Sequence, residues 1–125
     1  MGVEFDPNTP IYLQLIQRIR QAVVSGEMLP GSKVPSVRDL AVAYGVNPNT
    51  VQRALTELER DGLLYAERTA GRFITNDSAR IEAIRIELSE QQIERFIGQM
   101  QALGYQKTQL MQILTEKWSD LDGHD

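Results

Sequence analysis

Apolar residues recur at helical spacing near the start of the chain. From Tyr12 they stand at i, i+3, i+4, i+7 and i+11, which is one face of a helix. Thr9 is a good N-cap, Pro10 suits the first helical position, and Gly26 suits the left-handed residue that ends a helix. The pattern therefore predicts a first helix that begins at Pro10. Its apolar stripe consists of Tyr12, Leu15, Ile16, Ile19 and Val23.

Two short helices are predicted next, after a loop at residues 26–35 that contains two glycines and two prolines and a short extended piece at residues 33–34. Ser36 caps the first of them and Gly45 ends it. Asn47 caps the second, Pro48 takes its first position, and the helix ends at residues 61–62. Their predicted buried faces consist of Val37, Leu40, Ala41 and Tyr44, then Val51, Ala54, Leu55 and Leu58.

The pattern of the second half of the chain predicts a hairpin and two more helices. Branched and aromatic residues at 63–67 and 72–75 flank a turn that holds Gly71, which favours a β-hairpin. Helical periodicity returns after residue 78, slips in phase between Leu88 and Ile93, and is broken at Gly104. The predicted fold is mainly α with a small β-hairpin, an α+β chain.

Composition narrows the function. The chain has 125 residues, is 42% hydrophobic and 24% charged, and shows no transmembrane run or signal peptide, so a cytoplasmic protein is expected. The absence of cysteine excludes disulfides, thiolate metal sites and cysteine nucleophiles. The one histidine, His124, stands next to the chain end, where order is usually poor. No metal or cofactor is expected, and most hydrolases and metalloenzymes are disfavoured.

Charge is distributed unevenly. Residues 1–76 hold eight basic and eight acidic side chains, whereas residues 77–125 hold five basic and nine acidic ones. A net charge of −4 argues against a protein that coats nucleic acid without specificity. It does not exclude a protein that reads sequence, because affinity depends on the local field at the contact face.

The segment from residue 37 to residue 55 carries the functional signal. Two short helices joined by a three-residue turn containing Gly45 form a helix-turn-helix, and small Ala41 allows the helices to approach closely. Contact-capable side chains crowd the first two turns of the second helix, where Asn and Gln suit adenine edges and Arg suits guanine or phosphate. The alternative to DNA contact is that these side chains form an ordinary helix face exposed to solvent. The candidates are Asn47, Asn49, Thr50, Gln52 and Arg53.

Several residues outside this helix are weaker candidates for DNA contact. Arg68 and Arg72 flank the hairpin tip, which could reach the DNA backbone or minor groove. Arg38 could contact DNA or form an ion pair with Asp39. Lys33 and Ser36 could contact phosphates, although solubility and helix capping explain them as well. Taken alone, each of these residues is also compatible with an ordinary surface role.

These residues resemble the winged helix-turn-helix domain of the GntR family of bacterial transcription regulators. The resemblance spans residues 10–75, and the 47–51 run with a tail of about fifty residues is similar to the YtrA-like subfamily. The residues that carry it are 10–15, then Gly26, Pro30, Gly31, Pro35, Ser36, Arg38, Leu40 and Ala41, then 46–51, Arg53, Ala54, Leu55, Leu58, 61–63, Gly71, Phe73 and Ile74.

The resemblance implies a homodimeric repressor that binds double-stranded DNA at a palindromic operator, with a recognition helix at residues 47–61 and a wing at residues 63–75. In that subfamily the helix after Gly104 often begins with a serine cap. Gln106 is a poorer cap, so this helix is expected to start late or to fray. The DNA contacts that the resemblance implies are Ser36, Arg38, Asn47, Asn49, Thr50, Gln52, Arg53 and Gly71.

The tail gives a separate argument for a dimer. Residues 1–76 are expected to form the DNA-binding domain and residues 77–125 a two-helix dimerisation region, because two helices alone bury their apolar faces poorly. There are two alternatives. The tail could fold back on its own chain, or its apolar residues could line a pocket for an unknown small-molecule effector. The candidate interface consists of Phe96, Ile97, Met100, Leu103, Leu110, Leu114 and Trp118.

Two other classes of function are alternatives to DNA binding. An enzyme is disfavoured, because a pair such as Glu57 and Asp61 lacks a chemical partner and is typical of a solvated face. The main alternative is a winged helix that binds another protein and not DNA. The polar first half of residues 47–61 argues against it, since a protein-binding helix more often exposes an apolar patch.

Overall fold

The computed structural model describes residues 4–123, so His124 lies outside the described residues. Within that range the chain forms five helices and one antiparallel hairpin, which confirms the predicted, mainly helical class. The chain divides into two compact units, with unit 1 ending at Glu87 and unit 2 starting at Leu88. The elements are α1 Ile11–Val24, α2 Val37–Tyr44, α3 Pro48–Arg60, β1 Leu64–Glu67, β2 Gly71–Ile74, α4 Ser78–Ala102 and α5 Lys107–Asp122.

Helix α3 lies at the centre of unit 1. Its apolar face packs against α1, α2 and β1. Val51, Ala54, Leu55 and Leu58 on that face are 0% exposed, and each large apolar side chain buried in this way contributes about 2 kcal/mol. The core therefore fixes one face of α3 and leaves the polar face open. The α1 side of this core is formed by Leu15, Ile19, Ala22 and Val23.

The start of α1 differs from the prediction. Pro10 occupies the N-cap and the helix begins at Ile11, so the predicted cap at Thr9 is wrong by one residue. Among the described residues, no side chain caps the free N–H groups of the first turn of α1, and the Gln14 side chain instead bonds to the turn that precedes the helix. Its Oε1 accepts from the Asp6 N–H at 2.7 Å, and its Nε2 donates to the Asp6 carbonyl at 2.7 Å and to the Thr9 carbonyl at 2.8 Å. The turn before α1 is thus fixed by a side chain from within the helix.

The hairpin is extended by the loop before α2. Leu64 pairs with Ile74 and Glu67 with Gly71 in the antiparallel register. Lys33 forms a bridge to Phe73 on the other edge of β2, and the Val34 N–H donates to the Arg72 carbonyl at 2.8 Å. The predicted extended piece at residues 33–34 is confirmed, and it connects α2 to the hairpin.

A cluster of charged groups fastens the end of α3 to α1 and α4. Arg20 on α1 lies 2.6 Å from the Asp61 carboxylate and 3.7 Å from that of Glu87. The Arg80 Nε donates to the Asp61 carbonyl at 2.8 Å, and Arg85 donates to the Val24 carbonyl at 2.8 Å. The first turns of α4 therefore belong to unit 1, where Ile81 and Ile84 are buried.

Unit 2 contains residues 88–102 of α4 and the whole of α5. Helix α4 runs unbroken through Ser89, and the phase slip in its apolar pattern coincides with the change from unit 1 to unit 2. The expected late start of α5 is wrong, because the helix begins at Lys107, directly after Gln106. The Gln109 side chain accepts from the Gln106 N–H at 3.0 Å, one half of a capping box that compensates for the weak cap.

Candidate nucleic-acid interface

The turn between α2 and α3 has the geometry that a helix-turn-helix needs. Gly45 ends α2 with φ 68° and ψ 40°, a left-handed conformation that favours glycine. The Val46 N–H donates to the Ala41 carbonyl at 3.0 Å, which closes the turn. Because Leu40 and Ala41 are buried on one side and Val51 on the other, the angle between the helices is held by packing.

The polar residues at the start of α3 lie at the surface. Asn47, Asn49, Gln52 and Arg53 are exposed and Thr50 is half-buried. An open pocket of about 420 Å³ brings Asn49, Thr50 and Arg53 together with Ile11 and Tyr12 from α1. The first two turns of α3 thus present amide, hydroxyl and guanidinium groups side by side, which are the groups that hydrogen-bond base edges and phosphates.

Two of the candidate residues also cap helices. The Ser36 Oγ accepts from the Asp39 N–H at 3.1 Å, and the Asn47 Oδ1 accepts from the Asn49 N–H at 2.7 Å. Each cap occupies one oxygen and leaves the rest of an exposed side chain available, namely the Ser36 hydroxyl proton and the Asn47 amide protons. Capping and a contact with DNA are therefore compatible at both positions.

We expect Asn47→Asp to separate these two roles. A carboxylate still caps α3 and interacts favourably with the helix dipole, so the free energy of unfolding should stay unchanged or rise by up to about 1 kcal/mol. Operator affinity should fall at least about tenfold, because a negative charge would face phosphates. Asn47→Ala should instead cost about 1 kcal/mol of stability. Thermal unfolding and operator titration measure both effects, and unchanged affinity in Asn47→Asp would place Asn47 outside the interface.

Arg38 is exposed on α2 and makes no ion pair with any residue from 4 to 123. The alternative of an ion pair with Asp39 is thus absent from the described structure. Gln52 is also exposed, and its Nε2 lies 3.4 Å from the Thr56 Oγ1, at the outer limit of a hydrogen bond. Both side chains are available for a partner outside the chain.

The hairpin holds its two arginines differently. The Arg72 guanidinium bonds to the Glu59 carboxylate of α3, while Arg68 is exposed in the turn. Tyr65 and Phe73 stack across the strands with ring centroids 5.7 Å apart. Arg72 and the aromatic pair therefore stiffen the wing, and of the two arginines only Arg68 has no ion-pair partner among residues 4–123.

Gly71 has two structural reasons to be glycine. Its φ is +100°, and a Cβ added there would lie 3.3 Å from Lys33 Cε. The absence of a side chain thus lets Lys33 lie beside the first residue of β2. Lys33, which the sequence marked only as a weak candidate, belongs to the same surface as the wing.

Gly71→Ala is expected to destabilise unit 1 by about 1 kcal/mol, because of the positive φ. It should also weaken operator binding several-fold by displacing the Lys33 side chain and the wing turn. Gly98→Ala is the matched control, since Gly98 is in α4 and a Cβ there would meet no atom within 4 Å. That change should raise stability by up to about 1 kcal/mol. Thermal unfolding and titration with operator DNA test both, and equal behaviour of the two variants would refute the role of Gly71.

Acidic groups in the second half of α3 are neutralised within unit 1. Glu57 pairs with Arg60 at 2.8 Å, Glu59 pairs with Arg72, and Asp61 pairs with Arg20. Lys33, Arg38 and Arg53, by contrast, have no acidic partner among the described residues. The acidic groups in the C-terminal half of α3 are therefore neutralised, whereas Arg53 in its N-terminal half has no acidic partner among residues 4–123.

Sequence reasoning missed a contact made by Arg53. The Tyr12 ring was predicted to belong to the apolar stripe of α1, yet it lies under Arg53, with 3.7 Å between the guanidinium carbon and the ring centroid. A basic and an aromatic residue on two different helices leave no local signal in the sequence. The contact arises from the packing of α1 against α3.

Partial burial raises the pKa of the Tyr44 hydroxyl, Glu27 raises it further, and Arg18 opposes the shift. This side chain therefore stays neutral around neutral pH and supports the end of α2 by packing. Among residues 4–123 no group of three or more acidic or histidine side chains is arranged to hold a metal ion. Within the same range, no helix combines the length and the apolar character needed to cross a membrane.

Unit 2 has an apolar groove between α4 and α5. It has a volume of about 540 Å³ and is rimmed by Gln101, Gln106 and Lys107. Several large apolar side chains of the unit are exposed, including Ile97 at 40% and Leu103 and Trp118 at 69% each. The apolar lining consists of Ile93, Phe96, Ile97, Tyr105, Leu110, Met111 and Leu114.

Comparison with known proteins gives a consistent result. Residues 11–74 match the family model described as "Bacterial regulatory proteins, gntR family". The chain is 34% identical over 124 residues to the HTH-type transcriptional repressor YtrA of Bacillus subtilis, covering 97% of this chain and 95% of the relative. A GntR family transcriptional regulator from Listeria monocytogenes superposes with a TM-score of 0.82 at 38% identity, covering 90% of this chain and 98% of that one. The structure of AraR(DBD) in complex with operator ORE1 gives a TM-score of 0.52 at 32% identity, over 60% of this chain and 89% of that one.

Proposed function

The chain belongs to the GntR family of bacterial regulatory proteins, and from that premise we propose that it is a homodimeric transcriptional repressor that binds a palindromic operator. Residues 1–76 bind DNA and residues 77–125 pair the two copies. The protein acts in the cytoplasm on chromosomal DNA. It carries out no chemical reaction and represses by occupying a promoter.

The polarity of α3 is the observation that carries this proposal. One face of the helix is fully buried, and the acidic side chains near its C-terminus form ion pairs with arginines. Its N-terminal half exposes amide side chains and an arginine that has no acidic partner among residues 4–123. A helix N-terminus with these groups suits the major groove of DNA, where base edges offer acceptors and donors. A protein-binding surface would more often be apolar at this position.

The proposed contacts fall into two groups. The side chains of α3 reach base edges, while polar side chains at the flanking positions and the backbone of the wing fix the position of the domain on the phosphates. The first group consists of Asn49, Thr50, Gln52 and Arg53, and the second of Ser36, Arg38, Asn47 and Gly71.

Dimerisation is inferred from the apolar surface of unit 2. Exposed large apolar side chains on both of its helices, with a groove between them, would be costly to leave in water. A second copy covers this surface by a two-fold contact, which also brings two recognition helices to one operator. With the groove used for pairing, any small-molecule effector would have to act on the pairing itself.

Selection from a random pool of DNA duplexes with the purified chain tests the proposal. We expect a palindromic consensus whose half-sites are about one helical turn apart, with binding that weakens steeply as salt rises. A single unrepeated half-site would contradict the dimer. No enrichment above background would contradict DNA binding and favour a winged helix that binds another protein.

A further inference from the structure

Tyr12 and Arg53 form a stacked pair that joins two helices of unit 1. The guanidinium carbon of Arg53 lies 3.7 Å from the centroid of the Tyr12 ring, well inside the distance of about 6 Å for a cation–π contact. Tyr12 is half-buried in the first turn of α1, whereas Arg53 is exposed. Since Arg53 makes no ion pair with residues 4–123, the ring is the group that orients the guanidinium.

The pair lies within the surface that is proposed to bind DNA. Tyr12 and Arg53 line the same open pocket as Asn49 and Thr50. Asn49 stands one turn before Arg53 on α3, so the two side chains share a face of the helix. A change in the direction of Arg53 would therefore alter the group of atoms that DNA meets.

We propose that Tyr12 is a positioning residue for DNA binding, which acts by holding the Arg53 guanidinium in place before DNA arrives. The inference rests on the proposed function. A free arginine side chain loses about 2 kcal/mol of rotamer entropy when it becomes fixed. Stacking on a ring removes part of that loss in advance, and it leaves the in-plane N–H groups free to donate to phosphate or guanine acceptors.

A double-mutant cycle on the selected operator tests the proposal. Tyr12→Leu removes the ring and keeps an apolar side chain, and it should weaken binding about tenfold, since each dimer carries two pairs. Arg53→Ala should weaken binding more than this. The double variant should lie within about twofold of Arg53→Ala alone, because Tyr12 has nothing left to position.

Additive losses would overturn the proposal, because Tyr12 would then act independently of Arg53. Tyr12→Phe is the matched variant, as it keeps the ring and removes the hydroxyl, and its affinity should stay within about twofold of the unchanged chain. Equal weakening by Tyr12→Phe and Tyr12→Leu would assign the effect to the hydroxyl and overturn the stacking. Failure of the unchanged chain to bind any duplex would overturn the proposed function itself, which separates the two cases.

A measurement on the free protein checks the geometry without DNA. The ring current of Tyr12 should shift the proton resonances of the Arg53 side chain upfield in the NMR spectrum. Tyr12→Leu should abolish that shift and Tyr12→Phe should preserve it. The shift reports the stacking itself, which the proposal requires, so its absence in the unchanged chain would also overturn the proposal.

Discussion

Replacing both Arg38 and Arg53 with alanine is expected to lower operator affinity at least about a hundredfold. Each arginine that contacts a base edge or phosphate contributes about 1 to 3 kcal/mol, and a dimer loses four of them. The salt dependence should weaken as well, with the slope of log affinity against log salt falling by about 2 to 4. Fluorescence anisotropy at several salt concentrations measures both quantities.

Arg60→Ala is the matched control for this prediction. Arg60 is on the same helix and is 71% exposed, but it stands at the far end and pairs with Glu57. Its removal changes the charge by the same amount per residue, so an effect of net charge would appear in both cases. Affinity and salt slope should stay close to those of the unchanged chain. Equal loss in Arg60→Ala would show that the N-terminal half of α3 is not the contact surface.

Ile97→Glu is expected to convert the dimer to a monomer and to lower operator affinity at least about a hundredfold. Ile97 is 40% exposed and lines the apolar groove of unit 2, so a carboxylate there would lie within the proposed pairing surface. Burying an unpaired charge costs several kcal/mol. A monomer engages one half-site and loses the gain from binding two half-sites together. Light scattering and operator titration measure the two effects.

Gln99→Glu introduces the same charge two residues later, on a different face of α4. Gln99 is exposed and does not line the groove, so this variant should stay dimeric and bind the operator normally. Thermal unfolding should show both variants folded. A dimeric Ile97→Glu variant, or a monomeric one with undiminished affinity, would contradict the proposed role of unit 2.

The limits of α2 and α3 were predictable because caps are local. Ser36, Gly45 and Asn47 act on backbone groups a few residues away, so the sequence contains the whole interaction. The predicted start of α1 was wrong because Gln14, from inside the helix, fixes the preceding turn through Asp6 and the Thr9 carbonyl, and Pro10 takes the N-cap position. The predicted late start of α5 was wrong for a related reason, since the Gln109 side chain accepts a hydrogen bond from the Gln106 N–H. Ranking single residues as caps does not capture a side chain that bonds to backbone groups several residues before it.

The location of the candidate site was predictable from the sequence, whereas the contacts of its arginine side chains were not. A polar cluster at the start of the second helix of a helix-turn-helix is visible as a pattern, and the structure places those side chains at the surface. The partners of Arg72 and Arg53 come from other elements, namely Glu59 on α3 and Tyr12 on α1. The charge and spacing of an arginine do not tell whether it stiffens the fold or faces a ligand. Only the packing of the elements decides that.

The most direct test of the central claim is cleavage of the operator by a tethered reagent. The chain contains no cysteine, so a single introduced cysteine carries an iron chelate at one known position. Thr56→Cys places it on α3, one turn after Gln52, and Gln21→Cys places it in the second half of α1; both positions are exposed. We predict cuts from Thr56 in both half-sites, centred on the major groove, and little or no cleavage from Gln21. Stronger cleavage from Gln21, or none from Thr56 while the operator is bound, would contradict the assignment of α3 as the helix that reads DNA.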